Sequence, residues 1–128
     1  SITAAQYTLK SALEYFNPNA LVFIEDEERK LKSMNERSNI WKPKPYSLLK
    51  ALENINGYEK ALYAGDSAED YIMAKTVNQM NDNIIFVGVY GHTYAPATTL
   101  RNYLSQEADV VLPTVNELPV ILNRFKRR

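Results

Sequence analysis

Ala61-Leu62-Tyr63-Ala64-Gly65-Asp66-Ser67-Ala68-Glu69-Asp70 is the stretch whose reading decides the fold. Ala61 to Ala64 is an apolar run of buried-strand length. It stops at Gly65, and an acid-rich segment then opens an Ala-containing helix. Asp66 stands at the carboxyl end of the strand, and Asp70 follows one helical turn later. Residues at i and i+4 share a helix face, so a helix starting by Ser67 turns Asp70 back toward the strand end that carries Asp66. Two oxygen donors beside a glycine that admits close approach suit a hard divalent cation such as magnesium. The carboxyl edge is also where ligands bind in open α/β sheets. The same residues have a structural reading: Ser or Asp ahead of a helix caps it, and an acid in the first turn answers the helix dipole.

Upstream, Ala5, Leu9, Ala12, Leu13 and Phe16 fall at three- and four-residue steps and predict a helix from about Thr3 to Phe16. Asn17-Pro18-Asn19 ends it. Ala20-Leu21-Val22-Phe23-Ile24 is a continuous apolar run of the kind that forms a strand buried on both faces of a parallel sheet. Glu25 to about Asn35 predicts a second helix, with the acids Glu25-Asp26-Glu27-Glu28 at the end the dipole favours. Ser38-Asn39-Ile40-Trp41 reads as a brief extended piece. The prolines of Lys42-Pro43-Lys44-Pro45 exclude helix and stiffen the loop. A helix over Tyr46 to Ile55 follows, ended by Asn56-Gly57.

Downstream, a helix from Ala68 to Met80 leads to a buried strand, Ile84 to Val89. The loop from Tyr90 to Pro96 carries the chain's one histidine, His92, with Tyr94 beside it. A helix from Ala97 to about Ser105, a short strand Asp109 to Leu112, and a helix from Asn116 to Phe125 complete the chain. Leu118, Ile121, Leu122 and Phe125 line one face of the last helix. Strands alternating with helices predict an α/β fold, a three-layer Rossmann-like parallel sheet. Right-handed crossovers then bring the carboxyl ends of the strands to one edge. Glu25, Lys42, Asp66 and the Tyr90 loop are expected around one crevice there.

The 128 residues suffice for one domain, and a hydrophobic content of 45% excludes wholesale disorder. Lys+Arg and Asp+Glu both number 15, so no global charge argues for nucleic acid or an anionic membrane. The basic end, Arg124, Lys126, Arg127 and Arg128, reads as a dipole-favoured helix terminus. Cysteine is absent, which excludes disulfides and thiolate-bound metals and fits a cytoplasmic protein. No apolar run approaches the roughly 20 residues of a membrane span.

Lys42-Pro43-Lys44-Pro45, the leucine-rich Tyr46-Ser47-Leu48-Leu49-Lys50-Ala51-Leu52, and Gly65-Asp66-Ser67-Ala68-Glu69-Asp70 occur in that order. This order resembles the second half of the haloacid dehalogenase superfamily of phosphohydrolases, over roughly Ala20 to Leu122. Phe86 to Val89 and Ala108 to Leu112 look like the family's closing strands. The resemblance implies an aspartate nucleophile that forms an aspartyl phosphate, later hydrolysed by water, with magnesium between nucleophile and phosphate. It implies that Lys42 is the motif lysine, with Lys44 its rival, and that Asp66 is the direct metal ligand. Asp70 is the second acid, supporting the metal or its waters.

The sequence departs from the family in its opening motif. No Asp-x-Asp-Gly-Thr segment is present, and Glu25 stands where the family has a phosphate-binding Ser or Thr. The central, nucleophile-bearing strand is therefore expected to lie outside this chain. The chain reads as a single core portion: a leading helix and turn over 1–19, a strand-helix core over 20–112, and a terminal helix and basic tail over 113–128. The partners implied are a small phosphorylated metabolite and a missing amino-terminal segment or complementing chain. A homodimer is a further option; nucleic acid and membrane are not expected. The alternative is a non-catalytic interaction or regulatory module of the same fold. A signalling receiver domain fits less well, because its acid pair should lie near the first strand.

Overall fold

A boundary after Glu59 divides the chain into two units, Ser1–Glu59 and Lys60–Arg128, in a computed structural model that describes residues 1–81 and 83–126. Asp82, Arg127, Arg128 and the side chain of Phe125 lie outside the described residues, so part of the expected basic tail and apolar stripe is not placed.

In the first unit, helix α1 spans Ile2–Leu9 and is followed by a 3-10 turn over Lys10–Tyr15. The helix expected over Thr3 to Phe16 thus breaks at Lys10, which takes a positive φ of 47°. α1 has no buried residue, so it lacks the tertiary packing that sustains longer helices. The strand expected over Ala20–Ile24 does not form. Pro18–Ala20 is a 3-10 turn, Leu21 and Phe23 are extended, and helix α2 starts at Ile24 and runs to Ser33. The backbone of this run is partly β-like, but no strand among the described residues pairs with it. The acids after Ile24 stabilise a helix start and draw Ile24 into it. Ser38–Trp41 likewise joins no sheet. Helix α3 spans Tyr46–Leu52 and buries Leu48.

The acid run, expected at the end of the helix that the dipole favours, does more than answer the dipole. Glu27 is buried and ties α2 to α3. Its Oε1 accepts Lys30 Nζ at 2.7 Å and its Oε2 accepts Tyr46 Oη at 3.0 Å. The Lys30 ammonium holds the Glu27 carboxyl below its ordinary range, against the opposing effect of burial.

In the second unit, β1 (Ala61–Gly65), α4 (Ala68–Asn81), β2 (Ile84–Val89), α5 (Pro96–Ser105) and β3 (Val110–Leu112) follow the expected alternation, and α6 spans Leu118–Lys126. The three strands form an open parallel sheet in the order β1-β2-β3. The fold is mixed α/β and compatible with a Rossmann-like arrangement. Strands laid down consecutively in one direction, with right-handed crossovers, place both intervening helices on one face. Phe86 shows this: its ring lies 5.4 Å from Tyr71 of α4, 5.6 Å from Tyr103 of α5 and 6.1 Å from Tyr63 of β1. Gly88 lies under Tyr103, where a Cβ would come within 2.7 Å of the ring. On the opposite face Val87 and Leu112 are buried. Asn78, in α4, clamps the start of β2 through both its amide atoms, each at 2.7 Å from the Ile84 backbone. No helix among the described residues is long and apolar enough to cross a membrane.

Glu27 makes the first unit acid-sensitive. A carboxyl whose folded-state pKa is lowered adds stability that is present above its ordinary pKa, 4.5, and is lost as pH falls through that value and the lower folded one. Urea midpoints measured between about pH 6 and about pH 3 should therefore fall less steeply in Glu27→Gln than in the parent chain.

Candidate functional site

Gly65 ends β1 without a side chain, and a Cβ there would overlap the Cβ of Asp70. The glycine lets the first turn of α4 close onto the strand end. Asp70 is 2% exposed. Its Oδ2 accepts Ser67 Oγ at 2.8 Å, Ser67 N–H at 3.2 Å and Asp66 N–H at 3.3 Å. Ser67 Oγ in turn accepts the Asp70 N–H at 3.2 Å. These reciprocal bonds make a capping box, with Asp in the place usually held by Glu or Gln. Oδ1 accepts the Tyr63 hydroxyl at 2.6 Å.

The carboxylates set the electrostatics of the strand end. Burial, then the hydrogen bond to Asp70 and the charges of Asp70 and Asp66, push the Tyr63 phenol well above its ordinary value. Tyr103 is raised to about 12, by burial first and then by the same two carboxylates. Its hydroxyl donates to Gly65 O at 3.3 Å. Two neutral phenols thus pack behind a negatively charged strand end.

Asp66 differs from Asp70 in every respect that matters for a ligand. It is exposed, and its carboxylate makes no hydrogen bond or ion pair with the described residues. Its backbone is fixed by Asp70 while its side chain faces water. Gly65 is level with Gly88 in the adjacent strand, so the Tyr90 loop emerges beside Asp66 on the carboxyl edge. That loop is held by Gly91 N–H to Pro113 O at 2.8 Å and by Thr93 Oγ1 to Tyr90 O at 2.8 Å. His92 and Tyr94 are exposed on it.

Glu25 and Lys42 belong to the first unit. Neither follows a sheet strand, so the topology that brings Asp66 and the Tyr90 loop to one edge does not extend to them. Glu25 is in the first turn of α2 and accepts the Ser1 ammonium at 3.1 Å. Lys42 and Lys44 are both exposed, in a turn closed by Lys44 N–H to Trp41 O at 3.0 Å.

One acidic carboxylate with open coordination fits magnesium, which keeps several waters and takes one or two carboxylates beside substrate oxygens. Asp66 offers that ligand. Asp70, with both oxygens accepting hydrogen bonds, is suited to holding Asp66 rather than replacing it. No group of three His, Cys, Asp or Glu side chains able to hold a metal occurs among the described residues. A groove of about 380 Å³ lies at the amino ends of the strands, beside Tyr71, Asn78 and Asp109. Its Asn78 and Asp109 are used to brace β2, Asp109 by accepting the Phe86 N–H at 2.8 Å. Comparison with protein-family models, curated proteins and solved structures finds no match to this chain.

Sequence reasoning singled out both acids and missed Tyr63 and Tyr103. Tyr63 was findable, because it lies two residues before Gly65 and so projects to the same sheet face. Tyr103 carries no local signal, since its contact with Gly65 spans 38 residues.

The two acids should separate in stability. Asp70→Ala strands the Tyr63 hydroxyl and the loop N–H groups and should cost about 2–4 kcal/mol. Asp66→Ala, at an exposed position, should stay within about 0.5 kcal/mol of the parent. Urea denaturation of both variants checks the contrast.

Proposed function

We propose that this chain is the carboxyl-terminal part of the core of a magnesium-dependent phosphohydrolase of the haloacid dehalogenase type. It acts on a small phosphorylated metabolite through an aspartyl phosphate whose nucleophile lies outside the chain. The observation that carries the reading is Asp66: an exposed carboxylate at the carboxyl end of a parallel strand, its backbone held by a buried second acid. The order of Lys42, Asp66 and Asp70 in the sequence supports it.

In this reading Asp66 holds Mg2+ directly. When bound, the ion screens the charge between an anionic nucleophile and the phosphoryl oxygens. Asp70 is a positioning residue that fixes the Asp66 main chain and braces the Tyr63 hydroxyl. By its place in the sequence order, Lys42 is the residue to which the resemblance gives the role of a compact ammonium. The missing central strand is the one that would pair with the outer edge of β1. His92 and Tyr94, on the adjacent loop, face the solvent from which substrate enters.

One observation favours the second reading, a non-catalytic module of the same fold. Both Asp70 oxygens are taken by hydrogen bonds, so only Asp66 is left to meet a cation on this strand end. A metal titration separates the two. With Mn2+ as a paramagnetic probe, the amide resonances of Gly65, Asp66 and Ser67 should broaden in the parent chain, recover on addition of excess Mg2+, and stay sharp in Asp66→Asn. Uniformly sharp resonances in the parent would support the non-catalytic module.

A further inference from the structure

β1 is an edge strand. It pairs with β2 and with no other strand among the described residues. Ala61 N–H donates to Asn83 O at 2.8 Å. In a parallel ladder alternate residues direct both their peptide groups to the same neighbour. Ala61, Tyr63 and Gly65 therefore serve β2, while Leu62 and Ala64 turn their N–H and C=O groups to the open edge. The side chains of these two residues are open as well: Leu62 is 41% exposed and Ala64 is exposed. They lie on the sheet face opposite α4 and α5, since their register partners are Ile85 and Val87 rather than Phe86 and Gly88. Row and face together make an apolar strand edge with unsatisfied backbone groups, the form that templates pairing with another strand.

The residues that flank this edge say what fits it. Lys60 precedes it and Asp66 follows it, and both are exposed. The strand between them is centred on Tyr63. We propose that the open edge is a self-association surface, on which β1 of a second copy of this chain pairs antiparallel about a two-fold axis at Tyr63. In that register Leu62 of one copy faces Ala64 of the other. Both residues have outward peptide groups, so each such pair exchanges both of its N–H···O bonds. Lys60 then lies opposite Asp66 of the second copy at both ends, the cross-strand arrangement that opposite charges stabilise.

Neighbouring registers are worse. A shift that keeps the hydrogen-bond parity sets Leu62 against Asp66 in one direction, and Lys60 against Ala64 in the other. The interface is isologous and closes on itself. It makes one continuous sheet from the two copies and joins the exposed Leu62 and Ala64 side chains into a shared apolar strip.

The pairing is an alternative to the missing central strand of the phosphohydrolase reading, because either would take the one open edge of β1. The Lys60 ammonium of the second copy would neutralise the same Asp66 carboxylate that a cation would take. A cation and the second copy therefore compete for Asp66.

Sedimentation equilibrium of the full chain without divalent metal tests the proposal. The parent chain should show a concentration-dependent monomer–dimer equilibrium. Lys60→Glu, which sets like charges opposite at both ends, should weaken it about tenfold. The double variant Lys60→Glu with Asp66→Lys restores opposite charges and should recover the parent affinity. Ala64→Pro removes an outward N–H and should abolish the dimer; its circular dichroism reports separately whether the unit folds. A chain monomeric at about 0.5 mM, where the weakest specific pairings still show, would overturn the proposal. So would a dimer indifferent to Lys60→Glu, or a double variant no better than the single one.

Discussion

Taking a carboxylate out of water is tolerable only when the protein replaces the lost hydrogen bonds. Asp70 is the place where this chain meets that condition, and much of the second unit is arranged around it. The donors come from three directions: the Tyr63 hydroxyl from β1, the Asp66 and Ser67 N–H groups from the turn, and the Ser67 hydroxyl from the cap of α4. One acid thus fixes where the strand ends, how the turn runs and where the helix begins. Gly65 has to be a glycine because the same acid packs against its Cα. Tyr63 and Tyr103 stay neutral because they are buried beside the two charges.

From this follows a division of labour between two acids that look alike in the sequence. Asp70 spends its hydrogen-bonding capacity inside the fold. Asp66, held by its backbone, keeps its carboxylate for the solvent side. A cation at this edge would meet a ligand whose main chain is held before it arrives. The strand that presents Asp66 also has an open outer edge, so what pairs with β1 and what binds Asp66 are physically linked questions.

The second unit was largely legible in the sequence, and the first was not. Ile84–Val89 is nearly continuous in apolar residues because β2 is the central strand and its faces are both covered. β1 was legible through its abrupt stop at Gly65 and the acid-rich helix start. Ala20–Ile24 carries an equally good apolar run, yet forms no strand. Hydrophobicity marks a segment for burial but does not supply a pairing partner, and the acids after Ile24 favour a helix start instead. Asp66 and Asp70 were told apart only through the resemblance, as direct ligand and supporting acid, and not by their surroundings. What separates them is Tyr63 and the reciprocal Ser67–Asp70 bonds, and Ser67-x-x-Asp70 is a capping signature that the sequence does display.

The central claim is that Asp70 locks the turn that presents Asp66. Amide hydrogen exchange at Asp66 and Ser67 tests it most directly, because both N–H groups donate to the buried Oδ2. Both amides should exchange slowly, with protection close to that of the β2 core, and Asp70→Asn should strip that protection while leaving β2 protected. Exchange at the rate of an open loop in the parent chain would show that the turn is not locked, and would contradict the account.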